Sequence, residues 1–320
     1  MKPLSVSGLL ARVNLTIPLE KVADQVVRDY QIGSFKNITP LLVGYEELNC
    51  LLETSKGKYI VKIFSKTKDL PTIQSNVNAL MNFYLGQIPV PQPHKTSAGE
   101  YLYLIKNNLE AYLIVMDYFD GKKFTQIEPS LSDMLSVTSI LANIHNLSFS
   151  THANYDMWLT VHLPREFSTK KQYLDKEDLN LIRPVVEELG HLDHSQLSKS
   201  IVHFDLHREN AMKNLKGEYC ILDLASVDFN YTVFDLATFL ALFCFDQNYY
   251  QPVIDEYLKL RPLSKYELEI LPLLIKATFS SNLLISSYLQ RSDQDENPEQ
   301  TLYYKSLGKS GLEMLKTTKP

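Results

Sequence analysis

The stretch Ile201-Val-His-Phe-Asp-Leu-His-Arg-Glu-Asn210, followed by Ile221-Leu-Asp-Leu224, decides how this chain is interpreted. It places a carboxylate at Asp205, an amide at Asn210 and a second carboxylate at Asp223, and both acids are flanked by apolar residues. Phosphoryl transfer from ATP needs one acid to hold an acceptor hydroxyl, and an amide plus an acid to hold magnesium. These three residues are therefore the candidate catalytic (Asp205) and metal-binding (Asn210, Asp223) residues.

The spacing within the stretch supports this interpretation. Asp205 and Asn210 lie five residues apart, as in the kinase catalytic loop H-x-D-L-x-x-x-N. Asp223 ends a predicted apolar strand, which would hold it rigidly beside them. Two oxygen ligands suffice for Mg²⁺ when ATP is bound, because phosphate oxygens complete its coordination. The alternative is a surface loop followed by a strand that carries an unrelated acid.

Length and composition set the class of protein. The chain has 320 residues, enough for one large domain or two lobes with a sizeable core. Apolar residues make up 45% and charged residues 22%, as in an ordinary globular protein. A net charge of -5 and the lack of basic runs argue against a general nucleic-acid binder.

Hydropathy and cysteine usage predict a cytoplasmic protein without a membrane partner. We expect no stretch long and apolar enough to cross a bilayer, and the first residues lack the apolar core of a signal peptide. Cys50, Cys220 and Cys244 lie far apart within apolar runs. They are expected to be buried thiols in a reducing compartment, not a disulfide framework or a zinc site.

Residues 1–118 are predicted to form a β-rich, nucleotide-binding N-terminal lobe. A glycine turn joins two strand-like runs, a helical segment ends at a proline-rich stretch, and two more strands follow. The predicted elements are an amphipathic segment at 19–30, strands at 48–54, 59–64, 101–105 and 111–118, and a helix at 72–85.

Residues 119–320 are predicted to form a larger, mainly helical catalytic and substrate-binding lobe, after a hinge at 116–121. Ser130 and Ser264 each begin a helix with an acid three residues later, which is the capping-box pattern. The second of these helices is expected to kink at Pro272, and the polar, acidic segment 291–300 is expected to be a loop. The fold class is therefore α+β.

Candidate nucleotide-binding residues lie in the first lobe. Lys62 sits inside an apolar strand, where an ammonium group is costly unless it is paired, and ATP phosphates are an available partner. The alternative is an edge-strand lysine that reaches solvent. The turn from Gly44 to Asn49 could cover the phosphates with backbone amides, although it holds a single glycine. The hinge backbone near Met116 and Asp117 is predicted to bind adenine.

Several other polar residues of the second lobe are candidates for a structural or phosphate-binding role. His145 falls on the apolar stripe of its helix and is expected to be a packed core histidine. His203 is expected to brace the loop backbone by hydrogen bonding, and His207 is a candidate phosphate contact. Asp235 either caps its helix or anchors the metal-binding strand from below.

These motifs resemble those of the aminoglycoside phosphotransferase and choline kinase superfamily. Its signature H-x-D-x-x-x-x-N, then I-D-x, then D-L-A is matched by His203, Asp205, Asn210, Ile221-Leu-Asp223 and Asp235-Leu-Ala237. The resemblance implies a protein-kinase-like bilobal fold, ATP and Mg²⁺ as cofactors, and a small-molecule alcohol as substrate.

Within that group the chain is most similar to the bacterial homoserine kinases of this fold, from about residue 32 to 289. Gly44-Tyr-Glu46 through Asn49-Cys-Leu-Leu52 resembles their nucleotide turn, G-x-E-N-x-N-x-L-L. Three departures concern the site. Those kinases usually carry threonine in place of Lys62. The helix that normally offers a glutamate to this lysine has asparagines (Asn76 and Asn78), and Leu224-Ala225 replaces an aromatic residue after Asp223.

We therefore predict an ATP- and Mg²⁺-dependent kinase of a small alcohol, an amino acid or amino alcohol, similar to homoserine kinase. A protein kinase is disfavoured because Asp223 and Asp235 are only twelve positions apart, too few for a peptide-docking activation segment. Two alternatives stay open. One is an aminoglycoside or choline/ethanolamine kinase, and the other is a catalytically silent protein that keeps the fold and the nucleotide.

Overall fold

The structure is a computed structural model that describes residues 6–41, 47–106, 109–152, 155–292, 294, 295 and 297–317. The chain divides into two compact units. The first comprises residues 1–121 and 214–222, and the second comprises residues 122–213 and 223–320. The lobe boundary predicted at 118/119 stays a prediction. Segment 214–222, which the sequence assigned to the second lobe, belongs to the first unit.

Helices and strands follow in chain order. The helices are α1 Val6–Leu10, α2 Leu19–Asp29, α3 Leu70–Leu85, α4 Leu131–His145, α5 Leu163–Lys170, α6 Lys176–Leu189, α7 Thr232–Phe239, α8 Tyr250–Leu260, α9 Lys265–Arg291 and α10 Pro298–Thr317. The strands are β1 Phe35–Pro40, β2 Leu48–Thr54, β3 Lys58–Ile63, β4 Tyr103–Leu104, β5 Tyr112–Asp117, β6 Lys122–Lys123, β7 Lys199–Val202, β8 Ala211–Lys213, β9 Tyr219–Ile221 and β10 Asp228–Tyr231.

An antiparallel sheet with strand order β1-β2-β3-β5-β4 forms the centre of the first unit. Side chains alternate between its faces, so every second residue of β2 is buried. The buried face packs with the apolar stripe of α2 in one core, with Val22 and Val26 beside Leu52 and Val61. This confirms the strands predicted around 48–54, 59–64 and 111–118. The side chains of the opposite face of the sheet lie outside this core.

The second unit is built around α9, most of whose side chains are buried. Both predicted capping boxes are present: Ser130 exchanges hydrogen bonds with Asp133, and Ser264 with Glu267. Within it β7 pairs with β10 and β6 with β8, both antiparallel.

The prediction that no stretch of the chain is long and apolar enough to cross a bilayer is wrong. Helix α9 is long and apolar enough to span a bilayer, and the mean hydropathy of its most apolar part is 1.4. However, 78% of that part of the helix is buried inside the structure. A run of this kind is what the core helix of a helical domain requires, because such a helix is apolar all round.

The predicted loop at 291–300 is shorter than expected. Helix α9 runs to Arg291 and α10 begins at Pro298, so only the residues between them connect the two helices. Proline is well tolerated in the first turn of a helix because its missing N–H has no partner there. The three cysteines are buried free thiols, as predicted, and burial raises the pKa of the Cys50 and Cys220 thiols to about 12.

Candidate active site

The catalytic loop lies in the second unit, between β7 and β8, and its entry is fixed by α9. Ser198, just before β7, donates from its backbone nitrogen (2.8 Å) and its hydroxyl (2.6 Å) to Oε1 of Glu267. Glu267 also closes the α9 capping box, so one buried carboxylate connects the start of the long helix to the strand that carries the loop.

Asp205 and Asn210 meet within this loop. The Asn210 amide nitrogen donates to the Asp205 carbonyl oxygen (2.9 Å) and to its Oδ2 (2.7 Å). No described residue donates to the other side-chain atom of Asn210, its Oδ1. An amide has two donors and one acceptor oxygen, so donation to Asp205 leaves the oxygen available to a cation. The Asp205 side chain is 38% exposed and can reach a substrate hydroxyl.

His207 completes the contacts of the Asp205 carboxylate. Its Nε2 lies 3.0 Å from Asp205 Oδ1, and its Nδ1 accepts from the Glu209 backbone N–H at 3.2 Å. Burial opposes protonation of the ring, but the charge and hydrogen bond of Asp205, together with the charges of Glu209 and Asp223, raise the pKa of His207 above its usual value. The Glu209 contact fits the neutral ring with hydrogen on Nε2, and Nε2 can donate to Asp205 in either protonation state.

Asp223 is exposed and adopts a left-handed backbone conformation, with φ of 54°. A non-glycine residue in this region costs about 1–3 kcal/mol and persists where the surroundings impose it. The next side chain, Leu224, is buried, so the chain turns sharply to place an acid in solvent beside an apolar anchor. Phe204, just before Asp205, has the same handedness with φ of 62°.

Asp235 holds the loop from beneath. Its two carboxylate oxygens accept from the backbone N–H groups of His203 (2.6 Å) and Phe204 (2.9 Å), which are the residues leading into Asp205. The proposed helix cap is wrong, because Tyr231 occupies the cap position of α7, and these bonds go to the catalytic loop. The bracing role predicted for His203 is observed, since its Nδ1 accepts from the Asp205 N–H at 3.2 Å.

The buried Asp235 carboxylate is contacted by His145, which in turn contacts the Tyr257 hydroxyl. His145 places Nε2 3.0 Å from Asp235 Oδ2 and Nδ1 2.6 Å from the Tyr257 hydroxyl. Burial lowers the pKa of His145, and the neighbouring carboxylate offsets only part of that effect. The neutral ring donates from Nε2 to Asp235 and accepts the Tyr257 proton on Nδ1. His145 is thus in the core, as predicted, and also carries a hydrogen-bond network to the loop.

The donor set fits a hard cation that keeps several ligands of its own. Within the residues that the structure describes, no three His, Cys, Asp or Glu side chains meet as a ready-made metal centre. A cation held by few protein oxygens and by phosphate is typical of Mg²⁺ in kinases. Asn210 Oδ1 and the exposed Asp223 carboxylate are oxygen donors of this type.

In the first unit, Lys62 and Asn49 are direct cross-strand partners of β3 and β2. Such partners place their side chains on one face with Cβ atoms about 5 Å apart. Both alternate with residues of the apolar core, so they lie on the opposite face of the sheet. The two predicted nucleotide-binding side chains therefore come together.

Glu47 is the acidic partner of Lys62. Its Oε2 lies 3.7 Å from Lys62 Nζ, and its Oε1 contacts Lys68 Nζ. All three side chains are largely buried, at 8%, 14% and 6% exposure for Glu47, Lys62 and Lys68 respectively. The acid that α3 does not supply comes from the residue just before β2.

The segment predicted to bind adenine is held by residues 92–94 of the same chain. The Asp117 N–H donates to the Gln92 carbonyl oxygen (2.9 Å), and the Asp117 carboxylate contacts His94 Nε2 (2.6 Å). Met116 forms a bridge with Pro93. An adenine contact from Asp117 would therefore use its carbonyl group, and Gly44 lies outside the described residues.

Glu47 and Tyr304 were not predicted from the sequence to contribute to the site. Glu47 was part of the quoted nucleotide turn but received no role, although a second acid beside Glu46 was a signal. Tyr304 of α10, whose hydroxyl lies 3.3 Å from His207 Nε2, could not be assigned a role from sequence, because the two residues are 97 positions apart.

A family model described as the phosphotransferase enzyme family (APH) matches residues 37–267 of the chain. The chain belongs to this family. It is thus a phosphotransferase by descent, and the match includes both the sheet and the catalytic loop.

Similarity to individual proteins is low in sequence and extensive in length. A homoserine kinase of Methylobacillus glycogenes is 22% identical over 256 residues, covering 76% of this chain and 77% of that protein. Among solved structures, spectinomycin phosphotransferase in complex with ADP and spectinomycin has a TM-score of 0.72 at 13% identity, covering 95% of this chain and 99% of that one.

Two further kinases have the same fold. Choline kinase LicA from Streptococcus pneumoniae has a TM-score of 0.63 at 17% identity, with 92% and 99% of the two chains covered. Amicoumacin kinase hAmiN in complex with AMP-PNP, Ca²⁺ and Ami has a TM-score of 0.66 at 13% identity, with 97% and 96% of the two chains covered. The kinase-like α+β fold expected from the motifs is confirmed.

Proposed function

We propose that this phosphotransferase moves the γ-phosphoryl group of ATP to the hydroxyl of a small amino acid or amino alcohol, as a homoserine kinase-like enzyme. The observation that carries the proposal is the pairing of Asn210 with Asp205. The amide fixes the acid with both of its donors and keeps its oxygen for a cation. This arrangement serves a base and a metal ligand at once.

Asp205 is the proposed catalytic base. Its carboxylate oxygens accept hydrogen bonds from Asn210 and His207, yet each oxygen has a second lone pair, and the side chain is partly exposed. An acceptor hydroxyl that donates to this carboxylate is oriented for attack, and its proton has a place to go. The contacts to Asn210 and His207 hold the acid in one rotamer, which reduces the entropy cost of that orientation.

Asn210 and Asp223 would hold the Mg²⁺ that accompanies ATP, through oxygen atoms alone. When bound, the ion supplies charge neutralisation on the phosphate oxygens. The left-handed conformation of Asp223 supports this role, because backbone strain of this kind is often retained at functional sites.

Lys62 would bind the α- and β-phosphates, with Glu47 as its positioning partner and Asn49 beside it. Gly44, Met116, Asp117 and His207 remain candidate nucleotide contacts. The contact of Lys62 with Glu47 favours a functional phosphate-binding lysine over a catalytically silent protein.

The acceptor class rests on relatives. Curated relatives are named homoserine kinase, whereas neighbours in fold act on spectinomycin or choline by name. All of these are small molecules that carry both a hydroxyl group and a nitrogen. Homoserine is therefore the first acceptor to test, and choline, ethanolamine, hydroxylysine and spectinomycin are the alternatives.

An ADP-release assay over these five acceptors, together with thermal shift in MgATP, tests the proposal. We expect ADP release that depends on one acceptor, with ³¹P NMR showing a phosphate monoester of that acceptor. Stabilisation by MgATP without turnover on any acceptor would support the silent nucleotide-binding protein instead.

A further inference from the structure

The last helix of the chain, α10, contacts the catalytic loop at two points. The Tyr304 hydroxyl lies 3.3 Å from His207 Nε2, with the two rings edge-to-face at 5.9 Å. One turn earlier, Gln300 Nε2 donates to Glu209 Oε2 at 2.9 Å. His207 and Glu209 flank Arg208 and lie between the proposed base Asp205 and metal ligand Asn210.

Helix α10 is placed against α9 by close packing of glycines. A Cβ atom on Gly308 would lie 2.6 Å from the Phe279 carbonyl oxygen and 2.7 Å from the Leu283 nitrogen, which leaves no space for a side chain. Gly311 likewise lies against the Phe279 ring. Glycine weakens a helix by about 1 kcal/mol relative to alanine, so two glycines inside α10 indicate a required close approach.

This packing determines where Tyr304 lies. The Tyr304 ring is buried and contacts the indole of Trp158, with ring centroids 5.6 Å apart, while Ser281 of α9 donates to the Trp158 carbonyl oxygen at 3.0 Å. Tyr304 is thus held by its ring, and its hydroxyl is directed at one atom of the loop.

That atom is shared with the catalytic machinery. His207 Nε2 has Asp205 Oδ1 at 3.0 Å, Tyr304 Oη at 3.3 Å and Asn210 Nδ2 at 3.4 Å. The imidazole is held at Nε2 by Asp205 and Tyr304 and at Nδ1 by the Glu209 N–H, so it cannot rotate without breaking these contacts. Fixing the imidazole also fixes the carboxylate that it touches.

We propose that Tyr304 is a positioning residue of the phosphotransferase reaction, which acts through His207 on Asp205, and that Gln300 supports it through Glu209. The C-terminal helix is therefore part of the active-site architecture. This inference rests on the proposed role of Asp205 as the base.

The variant Tyr304→Phe tests this, because it removes the hydroxyl and keeps the ring that packs on Trp158. Tyr303→Phe is the matched control, since Tyr303 is the neighbouring, exposed tyrosine of the same helix. Hydrogen–deuterium exchange of the full chain reports on the loop without any substrate. We expect exchange in residues 203–210 to be about fivefold faster in Tyr304→Phe, with α9 unchanged and the control like the wild type.

Steady-state ADP release with the acceptor that the wild type uses provides the second measurement. Tyr304→Phe should lower kcat about tenfold and leave the KM for MgATP within about twofold, and Gln300→Leu should lower kcat in the same direction. Loop exchange unchanged in Tyr304→Phe, or accelerated equally in α9, would overturn the inference, as would a wild-type kcat. A wild type without turnover on any acceptor would instead refute the proposed function, and the exchange experiment would still test the contact.

Discussion

Glu47 lies 3.7 Å from Lys62, within a part of the first unit that is almost closed to solvent. In kinases a lysine that binds phosphates needs an acidic partner to hold it in place. Here the partner comes from the residue that precedes β2, and it also binds Lys68. The proposed phosphate-binding lysine is therefore positioned by a carboxylate of the chain itself.

Glu47→Gln should lower the free energy of unfolding by about 3 kcal/mol, because it leaves two buried ammonium groups without this partner. It should also raise the KM for MgATP. Glu53→Gln is the control, since Glu53 pairs with Lys58 at 3.6 Å on the exposed side of the same hairpin, where an ion pair contributes less than about 1 kcal/mol. Equal unfolding midpoints for the two variants in urea would show that Glu47 has no special role.

Asp223→Asn should abolish the thermal stabilisation by MgATP while changing the free energy of unfolding by less than about 0.5 kcal/mol. Asparagine tolerates the left-handed conformation of this position at least as well as aspartate, so only the charge is lost. Asp193→Asn, at an exposed turn, should behave like the wild type. A full MgATP shift in Asp223→Asn would exclude Asp223 as a metal ligand.

The buried pair of His145 and Asp235 predicts a pH effect on stability. Burial lowers the pKa of His145 in the folded chain. Below the ordinary histidine pKa of about 6.5, the unfolded chain therefore binds a proton at His145 more readily than the folded chain does. The free energy of unfolding contributed by this group is fully present above that pH. It falls as the pH decreases towards the folded-state pKa, by up to about 1.4 kcal/mol per pH unit.

Urea denaturation of the wild type and of His145→Gln between pH 7.5 and 5.5 measures this effect. The variant should be less stable at pH 7.5 but should lose less stability on acidification than the wild type. Parallel curves for the two proteins would mean that His145 takes up no proton on unfolding in this range.

Gly308→Ala should lower the free energy of unfolding by about 2 kcal/mol, since the added methyl group would overlap the α9 backbone. On an isolated helix the same change would be stabilising by about 1 kcal/mol. Ser306→Ala, on the exposed face of α10, is the control and should be neutral or slightly stabilising. If Gly308→Ala were as stable as this control, α10 would not depend on close packing against α9.

Local patterns predicted much of the fold because they depend on neighbours in sequence. The alternation in β2 and the capping boxes at Ser130 and Ser264 are set by residues within one turn or strand, and the structure confirms them. The spacing of Asp205 and Asn210 predicted a kinase-like catalytic loop, but it did not predict that the Asn210 amide would donate to Asp205.

Contacts over long sequence distances were not predictable in the same way. Glu47 reaches Lys62 through the register of a hairpin and Lys68 through the loop that follows it. Tyr304 reaches His207 only because α10 packs on α9. Asp235 could be assigned to the helix cap or to the metal-binding strand from sequence, but its bonds to His203 and Phe204 depend on how α7 lies beneath the loop.

The turnover of Asp205→Asn tests most directly whether Asp205 is the base of a phosphoryl transfer. Asparagine is isosteric and can still be held by the loop, so MgATP should stabilise the variant as much as the wild type. Acceptor-dependent ADP release should fall about 10²–10⁴-fold, the usual contribution of a general base. Turnover within a few fold of the wild type, with the same acceptor, would contradict the account.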